Sequence, residues 1–280
     1  MNEDGTTAWR MRAAQVAAVA RLELKKNFSL RRGIAVYILA FMQFLIFAAH
    51  SIASARGMTH CDGSDDLAMY AGVFQVFFLR LAVFFGCVVI FLNLFRGEVL
   101  QKSLHYYFLA PVRREVLVIG KYLSGLIMAA LVFAAAAALS YMVQVQHLAL
   151  TPNRALTSTA MGQLPAYLGV TVLACAGYGA VFLLLGMLFR NPIIPVIGVL
   201  VWESLIIFFP PLLKKISVIF YLESLCPVRV PFDGAAHLFA ISANPSPAYV
   251  AISGVLLLTA AVVALASVLV RRMEIRYGSE

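Results

Sequence analysis

Charged side chains are what this sequence lacks most. Only 12% of its 280 residues are Asp, Glu, Lys or Arg, against 62% hydrophobic, and the mean hydropathy is +0.89. Soluble domains carry about 25% charged residues. A chain with half that share cannot clothe a water-facing globule and keeps most of itself in lipid. Acidic residues are the scarcer sign, 13 against 22 Lys and Arg, which leaves a net charge of +9. In a soluble protein that excess would point to nucleic acid. Here the basic residues collect at the ends of apolar runs, so membrane topology is the simpler cause and no nucleic-acid partner is expected.

Cysteine is sparse as well. Cys61, Cys87, Cys175 and Cys226 form no C-x-x-C pair and no Cys/His ligand spacing, so no metal site is expected. The sequence also lacks the common catalytic signatures. Gly120-Lys121 has neither the upstream glycine nor the following Ser/Thr of a phosphate loop, and no H-E-x-x-H or G-x-S-x-G occurs. No catalytic residue is assigned and no cofactor is expected in this chain. A cleavable signal is not evident either: the segment before the first apolar run is too long and too mixed for a signal n-region, so the first span serves as the insertion signal.

What is present is a series of apolar runs. Six reach or approach the roughly 20 residues a bilayer needs: 33–53, 70–95, 118–142, 166–189, 193–210 and 248–270. The fifth is short and ends at Pro210-Pro211; Pro192 opens it at a position proline tolerates. Before the first span, residues 8–29 place Trp9, Ala13, Val16, Ala20, Leu24 and Phe28 on one helical face, with most of the Arg and Lys elsewhere. A basic amphipathic helix beside a span lies most simply in the membrane interface. A solvated N-terminal helix is the plain alternative. The expected fold is thus an all-α membrane protein: segment 1–32 with its interfacial helix, a six-span domain over 33–270, and a tail at 271–280.

Lys and Arg set the orientation. The N-terminal segment, the 95–122 stretch, the turn at Arg190 and the tail together hold sixteen; the opposite face holds five, Arg56, Arg154, Lys214, Lys215 and Arg229. This places both termini and the 96–117 loop in the cytoplasm. On the other face, the loop after the first span is acidic, 143–165 is bland, and 211–247 is long and apolar in pieces broken by Pro227 and Pro231. Pieces of that length suggest re-entrant or surface helices rather than a seventh span.

Few polar residues stand out within this frame. Arg80 and Glu203 lie inside the second and fifth spans, each about ten residues from an end, which at about 1.5 Å per residue is about 15 Å deep. Opposite charges at matching depth suggest an ion pair, either fixing helix packing or forming a polar element of a substrate path. The cluster His60, Asp62, Asp65, Asp66 offers oxygen ligands for a divalent cation, but its spacing fits no known ligand loop and a solvated face is the plainer reading. Cys61 and Cys226 both fall on the outer face, where a disulfide is chemically allowed. In the fourth span Ala176 and Ala180, with Gly177, Gly179 and Gly186, favour close helix contact in lipid.

The stretch from Phe95 to Tyr122, FRGEVLQKSLHYYFLAPVRREVLVIGKY, carries the densest mix of charge, aromatics and proline in the chain. Its Glu98, Ser103, the bulky run Tyr106, Tyr107, Phe108 and Leu109, then Pro111, Arg113-Arg114, Glu115 and Gly120-Lys121 resemble the loop between the second and third spans of ABC-2-type transporter permeases. Ser103 stands where Thr is commoner. The resemblance extends over nearly the whole chain, from interfacial helix to long outer segment.

That resemblance implies a role. Segment 98–112 would be a coupling helix docking into a cytoplasmic ABC ATPase, with two ATPase copies, ATP and magnesium on the ATPase, and a second permease chain, identical or paralogous. The implied setting is the bacterial cytoplasmic membrane, and the implied activity is export. Aromatic anchors with flanking Arg113 and Arg114 suit a protein interface, although aromatics also form lipid-interface belts. Two rivals stand beside this reading: a lipid-modifying membrane enzyme using the outer acidic cluster, and a permease-like subunit that passes force to outer partners without transport.

Overall fold

The computed structural model describes residues 3–28, 33–56, 63–100, 113–149, 154–228, 230 and 246–272, and among these there is no strand. Helix α1 covers Glu3–Phe28 and α2 Gly33–Ala55. One long continuous helix follows, made of α3 (Gly63–Gly72), a π-helical stretch Val73–Val83 and α4 (Phe84–Leu100). Then come α5 (Arg114–Ala149) and α6 (Arg154–Leu188). The short helices are α7 (Ile193–Leu205) with a 3-10 turn at Ile206–Phe208, α8 (Pro211–Lys214) and α9 (Val218–Leu225). Helix α10, Ala248–Arg272, is the last.

Five of these helices are long and apolar enough to cross a bilayer: Gly33–Ala55, Asp65–Phe95, Arg114–Leu148, Thr157–Leu188 and Ala248–Arg271. This makes the chain an all-α, multi-pass membrane protein by length and composition. The sixth expected span is a shorter apolar helix, Ile193–Phe208. Its thirteen α residues and three 3-10 residues rise about 25 Å, short of the roughly 30 Å hydrocarbon core. Pro210, in extended conformation, stops it.

Helices α5 and α6 are much longer than the spans read from hydropathy, with 36 and 35 residues. The segment 143–165 is polar enough to leave the lipid, yet most of it continues as helix, and Pro165 lies inside α6 rather than at its start. The Tyr141 hydroxyl donates to the Ala160 carbonyl at 2.6 Å, binding the two helices across this hairpin. Hydropathy marks where lipid ends, not where a helix ends.

The core lies between the π stretch, α4, α5 and α6. Tyr70, Phe74, Tyr141 and Tyr167 meet there with ring centroids 4.7–5.2 Å apart where they cross, mostly edge to face. The small residues of α6 permit close packing, as their spacing favours. A Cβ on Gly179 would lie 2.4 Å from the Phe91 ring, and one on Gly177 would lie 2.9 Å from Val218.

The first four long helices, α2, the α3–α4 helix, α5 and α6, alternate in direction, and α10 runs parallel to α6. Leu94 of α4, the first turns of α5 and the last turn of α10 share one end, where Arg271 meets Glu115. His50 of α2, Asp66 of α3 and His147 of α5 share the other. These are the Lys121 end and the His50 end below.

Candidate functional site

The segment singled out in the sequence emerges from the Lys121 end. Glu98 falls in the last turn of α4. Ser103, Tyr106, Tyr107, Phe108, Leu109 and Pro111 lie outside the described residues. Arg113 is exposed and sits just before α5, its carbonyl accepting from Val116 and Leu117. Arg114 Nη1 donates to the Val270 and Arg271 carbonyls at 3.5 and 3.4 Å, and Arg271 pairs with Glu115 at 2.7 Å. A cation at the C-terminus of α10 and an acid in the first turn of α5 both suit the helix dipoles. Together they tie the start of α5 to the end of α10.

A deeper contact secures α1 to the same place. Lys121 is fully buried, and its Nζ donates to Glu23 Oε1 at 2.7 Å and to the Leu94 carbonyl at 3.0 Å, with the Phe95 ring 5.4 Å away. Glu23 is itself 1% exposed. The neighbouring Gly120 makes room for this approach: a Cβ there would lie 2.8 Å from Val19 Cγ1 and 3.2 Å from the Val16 carbonyl oxygen. So α1 lies against α5 through Val16, Val19, Ala20 and Glu23. The apolar face read from the sequence catches Val16 and Ala20 and misses the acid, because a buried carboxylate leaves no hydrophobic signal.

A second polar group lies inside the bundle, and it corrects the expected Arg80–Glu203 pair. Arg80 Nη2 bonds Glu223 Oε1 of α9 at 2.5 Å. Glu203 has other work. Its oxygens accept from Ser217 Oγ at 2.6 Å and from the backbone N–H groups of Val218 and Ile219 at 3.1 Å each. The opening turn of α9 presents unpaired N–H groups and a partial positive charge, and the carboxylate from α7 satisfies both. Depth alone cannot distinguish one buried cation source from another, which is why the sequence pairs the wrong partners. Arg80 lies in the π-helical stretch, and so does Gln75, whose Nε2 donates to the Val228 carbonyl at 2.7 Å. That π stretch therefore grips both ends of the segment 223–228, in keeping with the use of such stretches at functional positions. Val218 packs on Gly177 and Tyr221 on Gly254, which embeds α9 between α6 and α10. Gln43 of α2 is fully buried too.

The third group stands at the His50 end. His50 Nε2 is 3.3 Å from Asp66 Oδ1, and His147 Nε2 is 3.5 Å from Asp66 Oδ2. Asp66 is 0% exposed, so the reading of the acidic loop as a solvated face fails for this residue, although Asp65 beside it is exposed. Burial is forced by position: Asp66 sits on the inward side of α3, under the ends of α2 and α5. These three residues place their donor atoms within 4.8 Å of one another. The sequence signal was slight, a histidine near the same end of two spans, and it emerges only when the topology is known. His60 and Asp62 lie outside the described residues.

Cys226 is a free, buried thiol whose Sγ–H points at the Leu222 carbonyl, 3.4 Å away. Cys61 lies outside the described residues. Cys87 and Cys175 are free and buried.

No family model matches the chain, and no curated protein sequence matches it.

Proposed function

We propose that the chain is the permease subunit of an ABC transporter of the ABC-2 type, driven by a separate cytoplasmic ATPase that docks on segment 98–112. The observation that carries this is how the two roots of that segment are held. The α4 root is bonded to Lys121 through the Leu94 carbonyl, Lys121 is bonded to α1 through Glu23, and the α5 root is bonded to α10 through Glu115 and Arg271. A push on the segment would reach four helices at once, which is what a coupling element needs. The residues of the segment itself supply the resemblance, and the reading takes the motor to be a separate ATPase subunit, as in ABC-2-type permeases.

The same reading makes α7 the sixth crossing. Helix α6 ends beside Leu92 of α4, while α10 begins beside Tyr221 of α9. Leu188 and Ala248 thus lie at opposite ends of the bundle, with α7 and α9 meeting side by side at Glu203. Six crossings put both termini on one side, and the Lys and Arg distribution makes it the cytoplasmic side. On this account α9 is a re-entrant helix capping the path of an exported substrate, and the functional unit holds two permease chains and two ATPases.

The test is association and transport in membranes carrying the chain and its co-purifying ATPase. Tyr107→Ala and Glu98→Ala should insert normally yet lose ATPase binding, with Tyr107→Ala weakening it by about 2 kcal/mol, or roughly thirtyfold. Normal ATPase association in both variants would overturn the coupling role.

A further inference from the structure

We propose that His50, Asp66 and His147 form a binding site for a divalent transition-metal cation of the zinc class, placed at the His50 end of the bundle. The site is independent of the transport reading, since it rests on three side chains that no part of the coupling argument uses.

The geometry suits a metal ion, although His50 Nε2 and Asp66 Oδ1 are also within hydrogen-bond distance. A zinc ion held about 2.0–2.2 Å from each ligand in tetrahedral geometry spaces neighbouring ligand atoms by about 3.4 Å. The two His–Asp separations are 3.3 and 3.5 Å, one on each carboxylate oxygen, and all three donor atoms fall within 4.8 Å of one another. Charge-assisted N–H···O bonds are shorter, about 2.7–2.9 Å. Moreover Asp66 Oδ2 is buried and has no hydrogen-bond partner among the described residues. A carboxylate that is 0% exposed and, among the described residues, faces two imidazoles is poorly compensated, because burying a charge is costly unless it is paired or coordinates a metal. A dication at the shared focus would compensate it and use the orphaned oxygen.

The donor set selects the metal. Two imidazoles and a carboxylate suit zinc and its neighbours, whereas calcium and magnesium demand six or more ligands, nearly all oxygen. Three protein ligands leave a fourth position for water or another donor. Access exists from one side: the His50 and His147 side chains are 15% and 11% exposed while Asp66 is closed off. Below the site, Gln144 lies one helical turn before His147, buried and with Nε2 unpartnered among the described residues, and so offers a donor to the shell around the metal. Since the three ligands come from α2, α3 and α5, bound metal would pin the ends of three helices together.

The experiment uses the full chain in detergent, its affinity tag removed, stripped with EDTA and transferred to chelator-free buffer. Titration with ZnCl2 against a chromophoric competitor should show one equivalent bound per chain, and CoCl2 should give the visible absorption of a four-coordinate nitrogen and oxygen site. Zinc should raise the unfolding midpoint of the wild-type chain, and MgCl2 or CaCl2 should not. Asp66→Asn and His147→Gln should weaken zinc binding by at least about tenfold, while Asp65→Asn, at the exposed neighbour, should leave it unchanged. Absence of stoichiometric zinc uptake by the wild type would overturn the proposal, as would equal uptake by wild type, Asp66→Asn and His147→Gln. Should a variant fail to fold, the cobalt spectrum of the wild type decides alone: no four-coordinate band, no site.

Discussion

Two carboxylates are buried at opposite ends of this bundle, and their surroundings differ in kind. Glu23, at the Lys121 end, faces a permanent cation at 2.7 Å, and that cation also satisfies the Leu94 carbonyl. Asp66, at the His50 end, faces two imidazoles at 3.3 and 3.5 Å and keeps one oxygen unbonded among the described residues. A buried charge that has found all its partners holds structure in place. One that has not leaves a binding free energy for a cation to supply. On the proposed readings, the Lys121 end passes motion between helices and the His50 end takes up a metal ion.

The comparison can be broken at its strong side first. Lys121→Met takes the cation at 2.7 Å away from the buried Glu23 carboxylate, and removing one partner of a buried pair costs about 3–5 kcal/mol. The expected outcome is a large fall in unfolding midpoint in detergent, most of it recovered by adding Glu23→Leu. A small loss in the single variant would show that the pair is not the anchor of α1.

Gly120→Ala tests the same contact by sterics rather than charge. Its new Cβ would meet Val19 Cγ1 at 2.8 Å and the Val16 carbonyl oxygen at 3.2 Å. Forced overpacking of this kind costs about 1–3 kcal/mol, read as a lowered midpoint together with faster proteolysis within α1. An unaltered midpoint and cleavage pattern would mean that α1 and α5 do not pack as closely as described.

The weak side should give the smallest effect. In the metal-free chain Asp66→Asn exchanges a poorly compensated charge for a neutral amide of similar shape, and stability should change by less than about 1 kcal/mol. Equal sensitivity of the Asp66 and Lys121 variants would erase the contrast between the two ends.

How much of this was legible in the sequence depends on which force did the placing. The long helices were readable, since apolar runs in a chain this poor in charge have only one solvent to go to. The small-residue run of α6 also acted as its spacing favours, with Gly177 and Gly179 meeting Val218 and Phe91. Helix limits at 143–165 were not readable, because helices pass the lipid boundary without any change in backbone hydrogen bonding. Nor were the partners of the polar residues. Arg80 pairs with Glu223, 143 residues away, instead of Glu203, and Lys121 pairs with Glu23, 98 residues away. Gln75 holding Val228 and the two histidines around Asp66 belong to the same category. Of the 95–122 stretch, residues 101–112 lie outside the described residues, and the bonds that tie its flanks to α1 and α10 were not legible.

Solvent preference is a property of each residue, and so it can be summed along a sequence. Scarcity of charge, six apolar runs and a lopsided distribution of Lys and Arg determined a helical membrane protein before any contact was known. Partner choice is a property of rotation and depth. Lipid is as apolar as the protein interior, so a membrane helix carries little periodic signal to say which face turns inward. Only the packed bundle decided that Glu203 would satisfy the start of α9, that Glu23 would close on Lys121, and that Asp66 would be buried between two histidines with an oxygen to spare.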